Sequence, residues 1–107
     1  MRTSEMNSNQ LNVFNLVVEN CNDYFGGYEN QLMDSEEGSD TYNEAKEALT
    51  APAEEICATI EIWVRSSTIW KKIENLHLVG LDWMRERISK RVTKYQRETR
   101  ETFPEIF

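Results

Sequence analysis

The chain has 107 residues, 39% apolar and 29% charged, with only 4 Gly and 2 Pro. That fits one domain with one small core and excludes collagen-like and low-complexity chains. No apolar run approaches the ~20 residues a bilayer span needs, none follows the polar opening residues as a signal peptide requires, and a net charge of −7 argues against nonspecific attraction to nucleic acid or acidic membranes. Cys21 and Cys57, with no export signal, read as reduced core thiols of a cytosolic protein.

Residues 1–9 are polar and read as a frayed start. Over 11–25, Leu11, Phe14, Val18, Cys21 and Phe25 recur at helical spacing, with Val17 and Tyr24 beside them. Ser8 or Asn9 suits the N-cap, and Gly26-Gly27 is the expected stop. Residues 28–34 add a turn or two with Tyr28 and Leu32 inward, and 35–40 read as a loop. Thr41-Tyr42-Asn43-Glu44 has capping-box spacing, so a second helix is expected over 42–49 with Tyr42, Ala45, Ala48 and Leu49 inward. Ala51-Pro52 ends it.

Pro52 opens a third helix, with Glu54 and Glu55 at its positive end. Ile56, Ile60, Trp63 and Val64 fit its face. Residues 59–65 also alternate like a strand, but a lone strand lacks a partner for its backbone groups, so helix is preferred. Ser66-Ser67-Thr68 offers a break and a cap. Ile69, Trp70, Ile73, Leu76 and His77 continue a helical stripe, either after that break or on an unbroken helix that puts Trp63 and Trp70 on one face. Residues 78–80 form a turn, and Asp82 suits the cap of a last helix with Met84, Ile88, Val92 and Tyr95 inward. That helix frays into a terminal tail over 101–107, where Pro104 prevents continuation. The expectation is an all-α single domain over 1–107, a compact bundle of four to six helices. Its core is expected to include Leu11, Phe14, Val18, Ile60, Trp63, Ile73, Met84, Ile88 and Val92.

Charge is unevenly laid out. Residues 1–64 hold 13 acidic and two basic side chains, a net −11, and the remainder nets +4. Such asymmetry points to an electrostatic partner, or to acidic and basic halves packing against each other. The acidic surface runs from residue 23 to residue 55, and Glu29, Asp34, Glu36, Glu37 and Asp40 are its candidate partner-binding residues. On the last helix, Arg87, Lys90, Arg91, Lys94, Arg97 and Arg100 form a basic strip that could contact phosphates. Glu86–Lys90 and Lys94–Glu98 would pair along that helix.

No catalytic motif is present, and the chain reads as non-enzymatic with no cofactor. His77 lies at a helix end, and neither cysteine has a neighbour that would activate it. Cys21, Cys57 and His77 lack the close ligand pairs of a zinc site. In the acidic loop, placing Gly38 at the sixth position of a calcium loop puts Met33 at the first, where an acid is required, so no metal is expected. A helix-turn-helix register on Gly80 puts Leu76 where a small residue belongs and Glu86 where an apolar one belongs, which argues against a sequence-specific DNA reader.

Residues 26–34, Gly38-Ser39 and Tyr42-Asn43-Glu44-Ala45 resemble a segment of small helical proteins carried by phages and mobile elements, over about a fifth of the chain. The overall profile is similar to phage counter-defence proteins such as anti-CRISPRs and antirestriction DNA mimics. The resemblance implies a cofactor-free inhibitor that docks acids on a nucleic-acid site of a host defence enzyme. Unlike the strongest mimics, this chain concentrates its acids in one half and has a basic last helix. The expected partner is therefore a protein with a basic nucleic-acid-binding surface. The alternatives are direct nucleic-acid binding through the basic strip, and a homo-oligomer or homodimer joining acidic to basic halves.

Overall fold

What the apolar face of the first helix meets decides its length. The computed structural model describes residues 2–107, and among these there is no strand. α1 runs over Ser8–Asp34, 27 residues, straight through Gly26 and Gly27. The expected stop there does not form. Cys21, Tyr24 and Phe25 before the glycines and Leu32 after them are all buried on one face. That continuous burial outweighs the ~0.5–1 kcal/mol each helical glycine costs. α1 ends at Ser35, whose hydroxyl donates to the Gln31 carbonyl at 2.6 Å.

The start of α1 is also more ordered than a frayed segment. Residues Thr3–Glu5 make a 3-10 turn. The N-cap is Asn7, one residue before Ser8: its Oδ1 accepts from the Gln10 N–H at 2.8 Å, and the Gln10 side chain accepts from the Asn7 N–H at 3.0 Å. This reciprocal pair satisfies two otherwise free donors.

α2 spans Asp40–Thr50 and starts two residues earlier than expected, because Ser39 rather than Thr41 caps it through the Tyr42 N–H. It folds back antiparallel on α1, where Gln31 Nε2 donates to the Thr41 carbonyl and Tyr24 Oη to the Ala48 carbonyl at 2.7 Å. α3 spans Ala53–Ser66 and includes the stretch that alternates like a strand. Its buried residues Ile56, Ile60 and Val64 are spaced by four, as one helix face requires. α4 spans Thr68–Asn75 and α5 spans Leu81–Thr102.

Ser67 alone separates α3 from α4. Its N–H donates to the Val64 carbonyl while its hydroxyl accepts from the Ile69 N–H. α4 closes in a left-handed C-terminal cap: His77, at φ 53°, donates its N–H to Glu74 O, and Leu78 donates to Ile73 O. Glycine is usual at such a position. α5 is capped by Gly80, with Asp82 inside its first turn rather than at the cap. The terminal tail is a packed 3-10 turn, Pro104–Ile106, that buries Ile106.

α3 lies antiparallel to α5, joined by Glu61–Arg85. α1 runs in the same direction as α5, since Phe14 meets Arg91, Phe25 meets Tyr95 and Glu29 meets Thr99. From α5, Gln96 Nε2 reaches the Leu49 and Ala51 carbonyls at 3.1 and 2.8 Å, supplying donors to the free C-terminal end of α2. The bundle measures 47 × 25 × 20 Å, and no helix among the described residues is long and apolar enough to cross a membrane.

The core differs from the expected one on two helices. Ile60, Ile73, Met84, Ile88 and Val92 are buried. On α1, however, Val13, Leu16 and Val17 point inward, Leu11 is exposed, and Phe14 and Val18 are half-buried. On α3, Trp63 is exposed, its ring 5.7 Å from that of Tyr24. The break at Ser67 separates it from Trp70, which is fully buried with its indole N–H unpaired.

Candidate functional site

The α1–α2 hairpin carries most of the nominated acids. Asp34 ends α1, Glu36 and Glu37 lie in the connecting loop, and Asp40 opens α2. All four are exposed. Gly38 takes φ 85° and lets this loop turn. Asp40, Glu44 and Glu47 follow at spacings of four and three, so the acidic surface continues along one face of α2. Glu29 does not belong to this group. It is partly buried and accepts a 2.6 Å hydrogen bond from Thr99 Oγ1 on α5.

The acidic and basic halves pack against each other through α1, α3 and α5, yet few direct ion pairs join them. Among the described residues, Glu61 is the one acid before residue 64 that enters an ion pair. It receives Arg85 Nε at 2.6 Å and Nη2 at 3.2 Å, with Arg65 at 3.5 Å. The hydrogen bond from Arg85 holds the Glu61 carboxyl below the usual carboxylate range against an opposing contribution from burial, and Arg65 adds a smaller lowering. Arg65 also reaches Glu74 at 3.6 Å, so this cluster ties α3 to α4 and α5.

The basic strip of α5 borders two depressions. Arg87, Lys90, Arg91 and Lys94 line one cavity together with Thr3 and Phe14, whereas Arg97 and Arg100 line a separate depression beside Ala53 and Gln96. Arg87 lies 5.0 Å over the Trp83 ring, and Arg91 lies 5.3 Å over Phe14 and 5.8 Å over Tyr95. The expected Glu86–Lys90 pair forms at 3.2 Å, and Lys90 holds the Glu86 carboxyl below its usual range. Lys94–Glu98 makes no ion pair. Phe14 as a cavity wall escaped the sequence reading because its helical phase fits the core equally well.

α3, α4 and the turn after them expose Ile62, Trp63, Ile69, Leu76 and Leu78. Neither cysteine is activated as a nucleophile. Burial pushes the Cys21 thiol up to about 12 and raises that of Cys57, so both stay protonated at neutral pH, and both are free of disulfides. Among the described residues no three His, Cys, Asp or Glu side chains converge as a metal site would require. No family model, curated protein or solved structure matches the chain.

Proposed function

We propose that the protein is a non-catalytic interaction protein whose acidic α1–α2 surface docks on the basic nucleic-acid-binding site of a protein partner, in the manner of phage or mobile-element inhibitors of host defence enzymes. One observation carries this reading. Asp34, Glu36, Glu37 and Asp40 stand exposed and without ion-pair partners while the chain holds ten basic residues after position 64. A fold that used its cations to offset these acids would pair them. Left unpaired, the carboxylates present a negative field that speeds encounter with a basic channel and stand in there for phosphates. Glu29 falls outside the surface because its carboxylate serves the α1–α5 contact.

The test is capture from a host lysate by the intact chain and by a variant with Asp34, Glu36, Glu37 and Asp40 all changed to Lys. The expected result is capture of a nucleic-acid-binding protein that duplex DNA displaces and added salt weakens. The reversed variant should lose that protein while keeping its helical spectrum. Capture that survives both reversal and duplex DNA would overturn the reading and move attention to the exposed apolar residues of α3 and α4.

A further inference from the structure

A second charged feature, independent of the acidic surface, is the cavity between the N-terminal turn, α1 and α5. It has a volume of about 320 Å³, and its wall includes Thr3, Phe14, Arg87, Lys90, Arg91 and Lys94. The four cations come from two successive turns of α5, at spacings of three, one and three, so the helix itself sets them on one side. Against them stands a single carboxylate, Glu86, which meets Arg87 Nη2 at 3.0 Å and Lys90 Nζ at 3.2 Å through the same oxygen. Arg91 and Lys94 have no ion pair among the described residues. Gathering like charges in this way is unfavourable unless an anion joins them.

Two of the cations are held in place before any ligand arrives. Arg87 is fixed between Trp83 and Glu86, its side chain only 9% exposed, and its Nε–H has no acceptor. A shielded guanidinium donor without a partner is unusual and costs stability. Arg91 is held over Phe14 and Tyr95. Two held guanidinium groups and two exposed ammonium groups are a donor set that phosphate oxygens favour, because the guanidinium fork matches two oxygens at once while lysine adds a point charge.

We propose that this cavity binds a compact diphosphate group, either inorganic pyrophosphate or the diphosphate of a nucleotide. Four cations less one carboxylate leave three uncompensated positive charges, more than orthophosphate can match. Arg97 and Arg100 do not line this cavity but another depression, so the four cations gathered here suit a compact ligand.

Calorimetric titration of the intact chain at near-physiological salt tests this with inorganic pyrophosphate, orthophosphate, a nucleoside diphosphate and a single-stranded oligonucleotide. Pyrophosphate should saturate one site per chain and bind at least tenfold more tightly than orthophosphate. Equal binding of the nucleoside diphosphate would mean that recognition ends at the phosphates, and tighter binding that the cavity also holds the nucleoside. Lys90→Gln with Lys94→Gln, both at exposed positions, should weaken pyrophosphate at least tenfold without changing the helical spectrum. Arg97→Gln should leave it unchanged. Pyrophosphate binding no tighter than orthophosphate, or an equal loss on Arg97→Gln, would overturn the proposal. Oligonucleotide binding that depends alike on Lys94, Arg97 and Arg100, without saturable pyrophosphate binding, would replace it with a nucleic-acid strip.

Discussion

Thr99 donates a 2.6 Å hydrogen bond from Oγ1 to Glu29 Oε1, and the threonine is 1% exposed. The bond crosses the α1–α5 contact near the C-terminal end of α5, where Thr99 is the one polar residue buried among the described residues. Glu29→Gln retains an acceptor oxygen and should be nearly neutral. Thr99→Val keeps the shape, removes the donor, and should cost about 1 kcal/mol, since a partly exposed carboxylate can turn to water. A double-mutant cycle in urea should give a coupling of roughly 0.5–1.5 kcal/mol between Thr99→Val and Glu29→Ala. Coupling near zero would mean that the bond adds nothing to stability.

Gly27 is helical and exposed, and a Cβ placed there meets nothing within 4 Å. Gly27→Ala should therefore stabilise the protein by about 0.5–1 kcal/mol, through a smaller entropy loss on folding and better helix propensity. In a domain of this size that is a rise in melting midpoint of roughly 2–8 °C. A lowered midpoint would show that α1 bends at the glycine pair in solution.

The Glu61–Arg85 bridge gives stability a definite acid dependence. The folded carboxyl sits below the ordinary value, so the folded state holds fewer protons than the unfolded chain in the range just beneath ~4.3. Its contribution is complete above that value and is lost as pH falls through the lower, folded value. Arg85 is about half exposed, which keeps the effect small through solvent screening. Between pH 6 and pH 3 the parent protein should lose more melting midpoint than Glu61→Gln, and high salt should narrow the gap. Parallel losses would show that the bridge does not hold in solution.

Where one helix face dominates, the pattern was readable from residues alone. Met84, Ile88 and Val92 on α5, and Ile56, Ile60 and Val64 on α3, emerge from spacing because each helix buries one narrow stripe. α1 is different. Leu11, Val13, Phe14, Leu16, Val17 and Val18 surround most of its circumference, so two helical phases fit, and contacts with α5 on one side and α2 and α3 on another choose between them. Gly26-Gly27 misled because local propensity is worth about a kilocalorie per residue and the burial of Leu32 beyond it is worth more.

The acidic loop was legible because neighbouring residues build it. The cavity beside the basic strip was not, because it depends on Phe14 and Thr3 arriving from the other end of the chain. The same holds for Thr99 drawing Glu29 out of the acidic set. The left-handed cap after α4 left no sign either, since histidine occupies the position where glycine would announce it.

Ser67 ends one helix and begins the next with no spacer, and this fixes the azimuth of α4 about its own axis. An α-helix advances ~100° per residue. A single residue inserted beside Ser67 would therefore rotate α4 so that Trp70, now wholly enclosed, swings towards water, while Ile69, now about half exposed, moves into its place. Chain length at this corner is thus as constrained as any buried side chain, whereas the loop around Gly38, open to solvent and free of neighbours at a Cβ, can take extra residues without disturbing what lies beneath it.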